Sequence, residues 1–128
     1  MAPITSIYAG LLALMMLGLA GRVVRVRLGQ AIPLGTGGND DMEQRIRVHG
    51  NLTEYAPIFL ILLLLAELGQ APAWLLHGTG IAFVVARAMH AAGLSRIRGR
   101  SIGRFYGSAV SWTAIVVLAV YLLGRAVL

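Results

Sequence analysis

The chain contains no cysteine and no lysine, and little charge of any kind. Without cysteine there is no disulfide framework and no thiolate-ligated metal site. Charged residues make up 12% of the 128 residues, about half the share of an ordinary soluble domain. That scarcity argues against a cytosolic enzyme. The 58% of hydrophobic residues argues equally against a disordered chain. What charge there is runs one way: 11 basic residues, all arginine, against 5 acidic ones, for a formal net charge of +6. A basic chain points to nucleic acid or to a membrane surface. The mean hydropathy of +0.78 decides for the membrane. Membrane lipids are therefore expected partners and nucleic acid is not.

A bilayer core of about 30 Å needs roughly 20 apolar residues per helix. Four stretches fit, at about Ile4–Ala20, Tyr55–Leu68, Trp74–Met89 and Phe105–Leu123. The second is short, so its helix should continue out of the lipid. In hydrocarbon the backbone must satisfy its own hydrogen bonds, which makes these helices. The period-two alternation of a β-barrel is missing. The first stretch lacks a positively charged n-region, and its arginines follow the apolar run, so it reads as a span rather than a signal peptide. The expected fold is all-α: one domain over residues 1–128, an integral membrane four-helix up-down bundle.

Orientation follows from the arginines. Arg22, Arg25, Arg27, Arg45 and Arg47 lie between the first two spans. Arg96, Arg98, Arg100 and Arg104 lie between the last two, while the link near Gln70 and Pro72 has none. The positive-inside rule puts both arginine-rich loops in the cytoplasm and both termini on the opposite side, with Arg125 the one dissenter. An integral membrane location with both arginine-rich loops on the cytoplasmic side is expected.

The first loop carries turn residues, Pro33, Gly35, Gly37 and Gly38. It lacks the Lys-Ser/Thr pair of a phosphate-binding loop. Asp40 with Glu43 three residues later resembles a capping box, so helix two should begin near Asp41. Pro57 predicts a bend or one lost hydrogen bond in that helix. Arg47, Asn51, Glu54 and Tyr55 stand at i, i+4, i+7 and i+8, on one helical face where the chain enters lipid. One reading is an interfacial ladder, with Arg47 snorkelling, Tyr55 in the aromatic belt and Glu54 paired to a loop arginine. The other is a binding face turned to a bundle interior or wet cavity. Arginine recognises a carboxylate, a carboxylate recognises an ammonium, and an amide both donates and accepts. Such a face suits a small zwitterion with additional carboxylates.

The second basic loop leads straight into span four. Arginine at a helix N-terminus adds to the positive dipole end and favours an anion, including a thiolate. Cytoplasmic topology and anionic-lipid contact explain the same arginines. Gly99, Gly103, Gly107 and Ser111 recur every four residues, a stripe for close packing within or between subunits. His49, His77 and His90 have no metal-ligand spacing, so no metal site is assigned. His77 reads as structural or interfacial.

The run Arg47-Val48-His49-Gly50-Asn51-Leu52-Thr53-Glu54-Tyr55-Ala56-Pro57 resembles the signature of the MAPEG family, the membrane-associated proteins in eicosanoid and glutathione metabolism. That signature is an arginine, an asparagine four later, then Glu-Tyr and a proline two beyond. The four spans, the basic first loop and Arg87 near the end of span three extend the likeness, which is greatest to the short bacterial members. The resemblance implies a homotrimer binding glutathione, as co-substrate, between subunits near the cytoplasmic side. Arg47 would then bind a carboxylate, Asn51 and Tyr55 would position the peptide, and Glu54 would hold the ammonium. Arg22 and Arg25 fall where first-helix arginines reach the site, and His90 where a tyrosine or histidine stands near glutathione. The family's catalytic arginine lies near the start of helix four and holds the thiolate. Here it corresponds to Arg104 or, second, Arg100. Leu94 stands where the eicosanoid branch has a tyrosine, which weakens the case for an eicosanoid substrate.

The implied function is glutathione-dependent conjugation of a lipophilic electrophile, or peroxide reduction. The alternative is a non-catalytic lipid-binding or partner-presenting protein, since the family includes one that does not use glutathione. Small four-span multidrug exporters have this length too, but they depend on a glutamate in the first span, which is absent here.

Overall fold

The computed structural model describes residues 1–96 and 102–127, without the side chains of residues 93–96, 102 and 104. It is built from four helices: α1 (Pro3–Gly29), α2 (Asp40–Leu68), α3 (Ala73–Arg96) and α4 (Ile102–Val127). All four are long and apolar enough to cross a membrane, including Ala73–Ala92 with 20 residues. At about 1.5 Å per residue that segment matches the hydrocarbon thickness.

The helices outrun their apolar segments. Arg22, Arg25 and Arg27, expected in the first loop, lie on the last turns of α1, which stops only at Gly29. Nothing before Gly29 breaks the helix, and cations near a C-terminus complement its dipole. The following turn uses its glycines as expected: Gly35, Gly37 and Gly38 have φ of 66°, 58° and 74°. The start of α2 corrects the expected capping box. Asn39, not Asp40, is the cap, and its side chain accepts the Met42 N–H at 2.9 Å. Glu43 therefore falls one position too late for the reciprocal bond. Asp40, Asp41 and Glu43 still place negative charge in the first turn. Pro57 removes one N–H donor, yet α2 continues through it to Leu68.

Named contacts give the topology. Glu67, at the end of α2, touches the start of α1. His77, at the start of α3, meets Tyr8 at the start of α1. Gly107, near the start of α4, lies against Ala86 and His90 near the end of α3. The helices thus alternate up and down. Phe59 and Phe83 stack at the centre, rings 4.0 Å apart and 2° from parallel, among Leu63, Leu76 and Leu118. The outer faces present Ile7, Leu11, Leu14, Ile81 and Val120, as a lipid-facing surface requires.

The start of α1 is tied down from a distance. Pro3 has no N–H, and Ala2 supplies no side-chain cap. The next two donors, Ile4 N–H and Thr5 N–H, are accepted by the two oxygens of Glu67 at 2.8 and 2.6 Å. Ser6 N–H reaches the Ala2 carbonyl. The donors of the first turn are thereby satisfied. Beside this tie the Tyr8 hydroxyl lies 2.9 Å from His77 Nδ1, so His77 holds α1 to α3. Gly80 makes room for the Tyr8 ring, since a Cβ there would lie 2.3 Å from it.

Candidate functional site

The face of α2 divides into an outer and an inner edge. At about 100° per residue, Arg47, Asn51, Glu54 and Tyr55 occupy an arc of about 100°. Arg47 and Glu54 form the outer edge and are exposed on the single chain. Asn51 and Tyr55 form the inner edge and are half-buried. Among the described residues neither Arg47 nor Glu54 has an ion-pair partner; the ion pair there is Asp41–Arg45, one turn of the same helix. Two charges of opposite sign thus stand open where α2 enters its apolar segment.

The inner edge is braced by a residue to which the sequence reading assigned no role. Arg87 on α3 is 2% exposed. Its Nε donates to Ser111 Oγ at 2.8 Å and its Nη2 to the Gly107 carbonyl at 2.9 Å, both on α4. Its Nη1 donates to Asn51 Oδ1 on α2. The guanidinium carbon also lies 5.6 Å from the centroid of the Tyr55 ring and 5.8 Å from that of Phe83, within cation–π reach. Ser111 closes the cluster by donating to the Gly107 carbonyl at 2.7 Å. Arg87 therefore joins three helices at the level of Asn51 and Tyr55. On its other side Tyr55 meets Trp112 of α4, rings 6.4 Å apart. Tyr55 is thus half-buried and packed against the core.

Gly107 and Ser111 belong to the small-residue stripe, and the structure shows its use. A Cβ on Gly107 would sit 2.7 Å from the Ala86 carbonyl oxygen and 2.9 Å from His90 Cβ. The absence of that carbon lets α4 approach α3 closely enough for its carbonyl to receive Arg87. Gly99 lies outside the described residues.

The remaining candidates are dispersed in the single chain. Arg22 is half-buried and lines a cavity of about 30 Å³ between α1 and α2, with Leu19, Asp41, Gln44, Arg45 and Val48. It faces an earlier part of α2 than Glu54. Arg25 is exposed on α1. His90 is buried at the α3–α4 contact beside Gly107. Arg104 is in the first turn of α4, but its side chain lies outside the described residues, as does that of Leu94 and the whole of Arg100. One chain brings Asn51 and Tyr55 together with Arg87, and leaves Arg47 and Glu54 facing outward beside them.

The missed residue, Arg87, carried one signal in sequence: it is an arginine inside an apolar segment, where a charge is costly unless it faces the protein interior. Its partners could not be read, because Asn51 and Ser111 are 36 and 24 residues away along the chain.

A family model described as "MAPEG family" matches residues 5–124. Two relatives, both called "Inner membrane protein YecN", come from Escherichia coli strain K12 and from Escherichia coli O6:H1 strain CFT073. Each is 33% identical over 115 residues, which cover 90% of this chain and 86% of the relative. That name states a location and no reaction.

Proposed function

The chain belongs to the MAPEG family, and from that premise we propose a glutathione-dependent transferase or peroxidase that acts on lipophilic electrophiles in a bacterial inner membrane. The observation that carries this reading is the open pair of charges. Arg47 and Glu54 stand exposed and without an ion-pair partner among the described residues, on the same arc as the braced Asn51 and Tyr55. Charges at the edge of an apolar span are costly unless a polar group or a wet cavity meets them. Glutathione offers complementary groups: a carboxylate for Arg47, an ammonium for Glu54 and amide or carboxylate oxygens for Asn51.

The outward direction of Arg47 and Glu54 supports a site closed by a second copy of the chain, and we assign a homotrimer with the ligand between subunits. The family resemblance assigns Arg22, Arg25 and His90 to that site as well; Arg25 is open to a second copy, whereas His90, buried against Gly107, borders the site from within the chain. The arginine-rich ends face the cytoplasm, which supplies the thiol, and the bilayer supplies the apolar substrate. In conjugation the thiolate sulfur forms a bond to the electrophilic carbon, whose leaving group departs with the bonding pair or whose strained ring opens. In peroxide reduction two thiols are oxidised to one disulfide, while the peroxide gives an alcohol and water. Either route needs a cation at the sulfur, and Arg104 or Arg100 takes that role.

The test is a glutathione titration of the purified chain in detergent, followed by thiolate absorbance. Arg47→Ala and Glu54→Ala abolish binding. Of Arg104→Ala and Arg100→Ala, the one that loses the thiolate signal names the arginine at sulfur. Tight glutathione binding by both Arg47→Ala and Glu54→Ala refutes the site. No binding by the wild-type chain at millimolar glutathione refutes the enzyme reading, in favour of a lipid-binding protein without chemistry.

A further inference from the structure

We propose that Arg87 is a positioning residue for the thiol ligand: it fixes the Asn51 side chain with its oxygen turned inward, so that the amide presents its N–H groups to the ligand. The proposal rests on the reading of the α2 face as a glutathione site. Arg87 is 2% exposed and so does not itself reach a ligand. A guanidinium has donors and no acceptor. Its Nη1 faces Asn51 Oδ1, so the amide oxygen is used inward, and flipping the amide would set N–H against N–H. Nδ2 is then the group left to the open side. The guanidinium is itself held from α4, by Ser111 Oγ at 2.8 Å and the Gly107 carbonyl at 2.9 Å. The same group packs near the Tyr55 ring.

Two consequences follow for specificity. An asparagine free to rotate accepts as readily as it donates. Held this way, Asn51 selects an acceptor on the ligand: a carboxylate or peptide carbonyl oxygen. In addition, Arg87 is satisfied by an amide, a hydroxyl and a carbonyl, and has no carboxylate partner among the described residues. Glu54 is consequently left for the ligand ammonium and is not drawn into an internal ion pair.

Asn51→Asp separates this role from a purely structural one. A carboxylate keeps the bond to Arg87, with a charge added, and offers the ligand no donor. Glutathione affinity and thermal stability are measured on the full chain in detergent, for the wild type, Asn51→Asp, Asn51→Ala, Arg87→Lys and the Asn51→Ala/Arg87→Lys double variant. Asn51→Asp should melt at or above the wild-type temperature while its glutathione Kd rises about tenfold or more, the order expected for one charge-assisted hydrogen bond. Asn51→Ala and Arg87→Lys should each weaken binding about tenfold, and together no more than either alone, since Arg87 acts through Asn51. Wild-type affinity in Asn51→Asp, or losses that multiply in the double variant, overturn the proposal while leaving the glutathione site in place. A wild-type chain that binds no glutathione overturns both. If Arg87→Lys does not fold, Asn51→Asp decides alone.

Discussion

Substituting Gly107 by alanine tests the packing on which the candidate site stands. The added Cβ would lie 2.7 Å from the Ala86 carbonyl oxygen, 2.9 Å from His90 Cβ and 3.1 Å from the His90 nitrogen. Two of these three atoms are backbone, so no side chain can swing aside to relieve them. Reaching ordinary contact at 3.4 Å requires α3 and α4 to part by about 0.7 Å. The same movement lengthens the bond from Arg87 Nη2 to the Gly107 carbonyl, now 2.9 Å, toward 3.6 Å, beyond useful hydrogen-bond range. Overpacking of this kind costs about 1–3 kcal/mol. A weakened buried hydrogen bond from a charged donor adds about 1–2 kcal/mol. The higher helix propensity of alanine returns about 1 kcal/mol. The net expectation is a loss of about 1–4 kcal/mol. Thermal unfolding in detergent, read by loss of the monodisperse species, should show a Tm several degrees below wild type. Gly78→Ala and Gly124→Ala serve as controls, because a Cβ at either meets nothing within 4 Å. They should match the wild type or exceed it. A Gly107→Ala protein as stable as these controls would refute the close α3–α4 approach, and with it the geometry given for Arg87.

Two further substitutions probe other parts of the bundle. Glu67→Ala leaves the Ile4 and Thr5 N–H groups without acceptors at the start of α1, and should destabilise by about 1–3 kcal/mol. Hydrogen exchange at those two amides should accelerate while exchange in α3 stays unchanged; equal acceleration throughout would contradict a local tie. Phe59→Ala removes one member of the parallel stack with Phe83, both fully buried. A large-to-small change in a soluble core costs about 3–5 kcal/mol. In lipid the packing and cavity part remains, so about 2–3 kcal/mol is expected, with Phe59→Leu recovering most of it. Full stability of Phe59→Ala would argue against the stacked core.

Much of this protein is legible from order along the chain, because lipid permits few solutions. A backbone in hydrocarbon must bond to itself, so four apolar stretches become four helices. Glycines at three positions of left-handed φ mark the first turn, and the spacing of Arg47, Asn51, Glu54 and Tyr55 marks one face of α2. Helical periodicity relates residues three, four and seven apart, and it is reliable for that reason. It also carried small errors. The cap of α2 is Asn39 instead of Asp40, and the arginines at 22, 25 and 27 continue α1 instead of forming a loop. Helix ends depend on single hydrogen bonds, which composition does not resolve.

Tertiary structure alone decided how the helices share their polar groups. Glu67 was visible only as an acid near the end of a span; its bonds to the start of α1 cross 62 and 63 residues. Arg87 was visible only as an arginine in an apolar run; its links to Asn51, Gly107 and Ser111 exist because α2, α3 and α4 converge on it. The division of the α2 face into an open edge and a braced edge has the same origin. Periodicity reports which side chains share a face of one helix, and the neighbour that face meets is set by the packing of the others. A missing Cβ at Gly107 brings α4 close enough to hold Arg87, and Arg87 in turn holds Asn51.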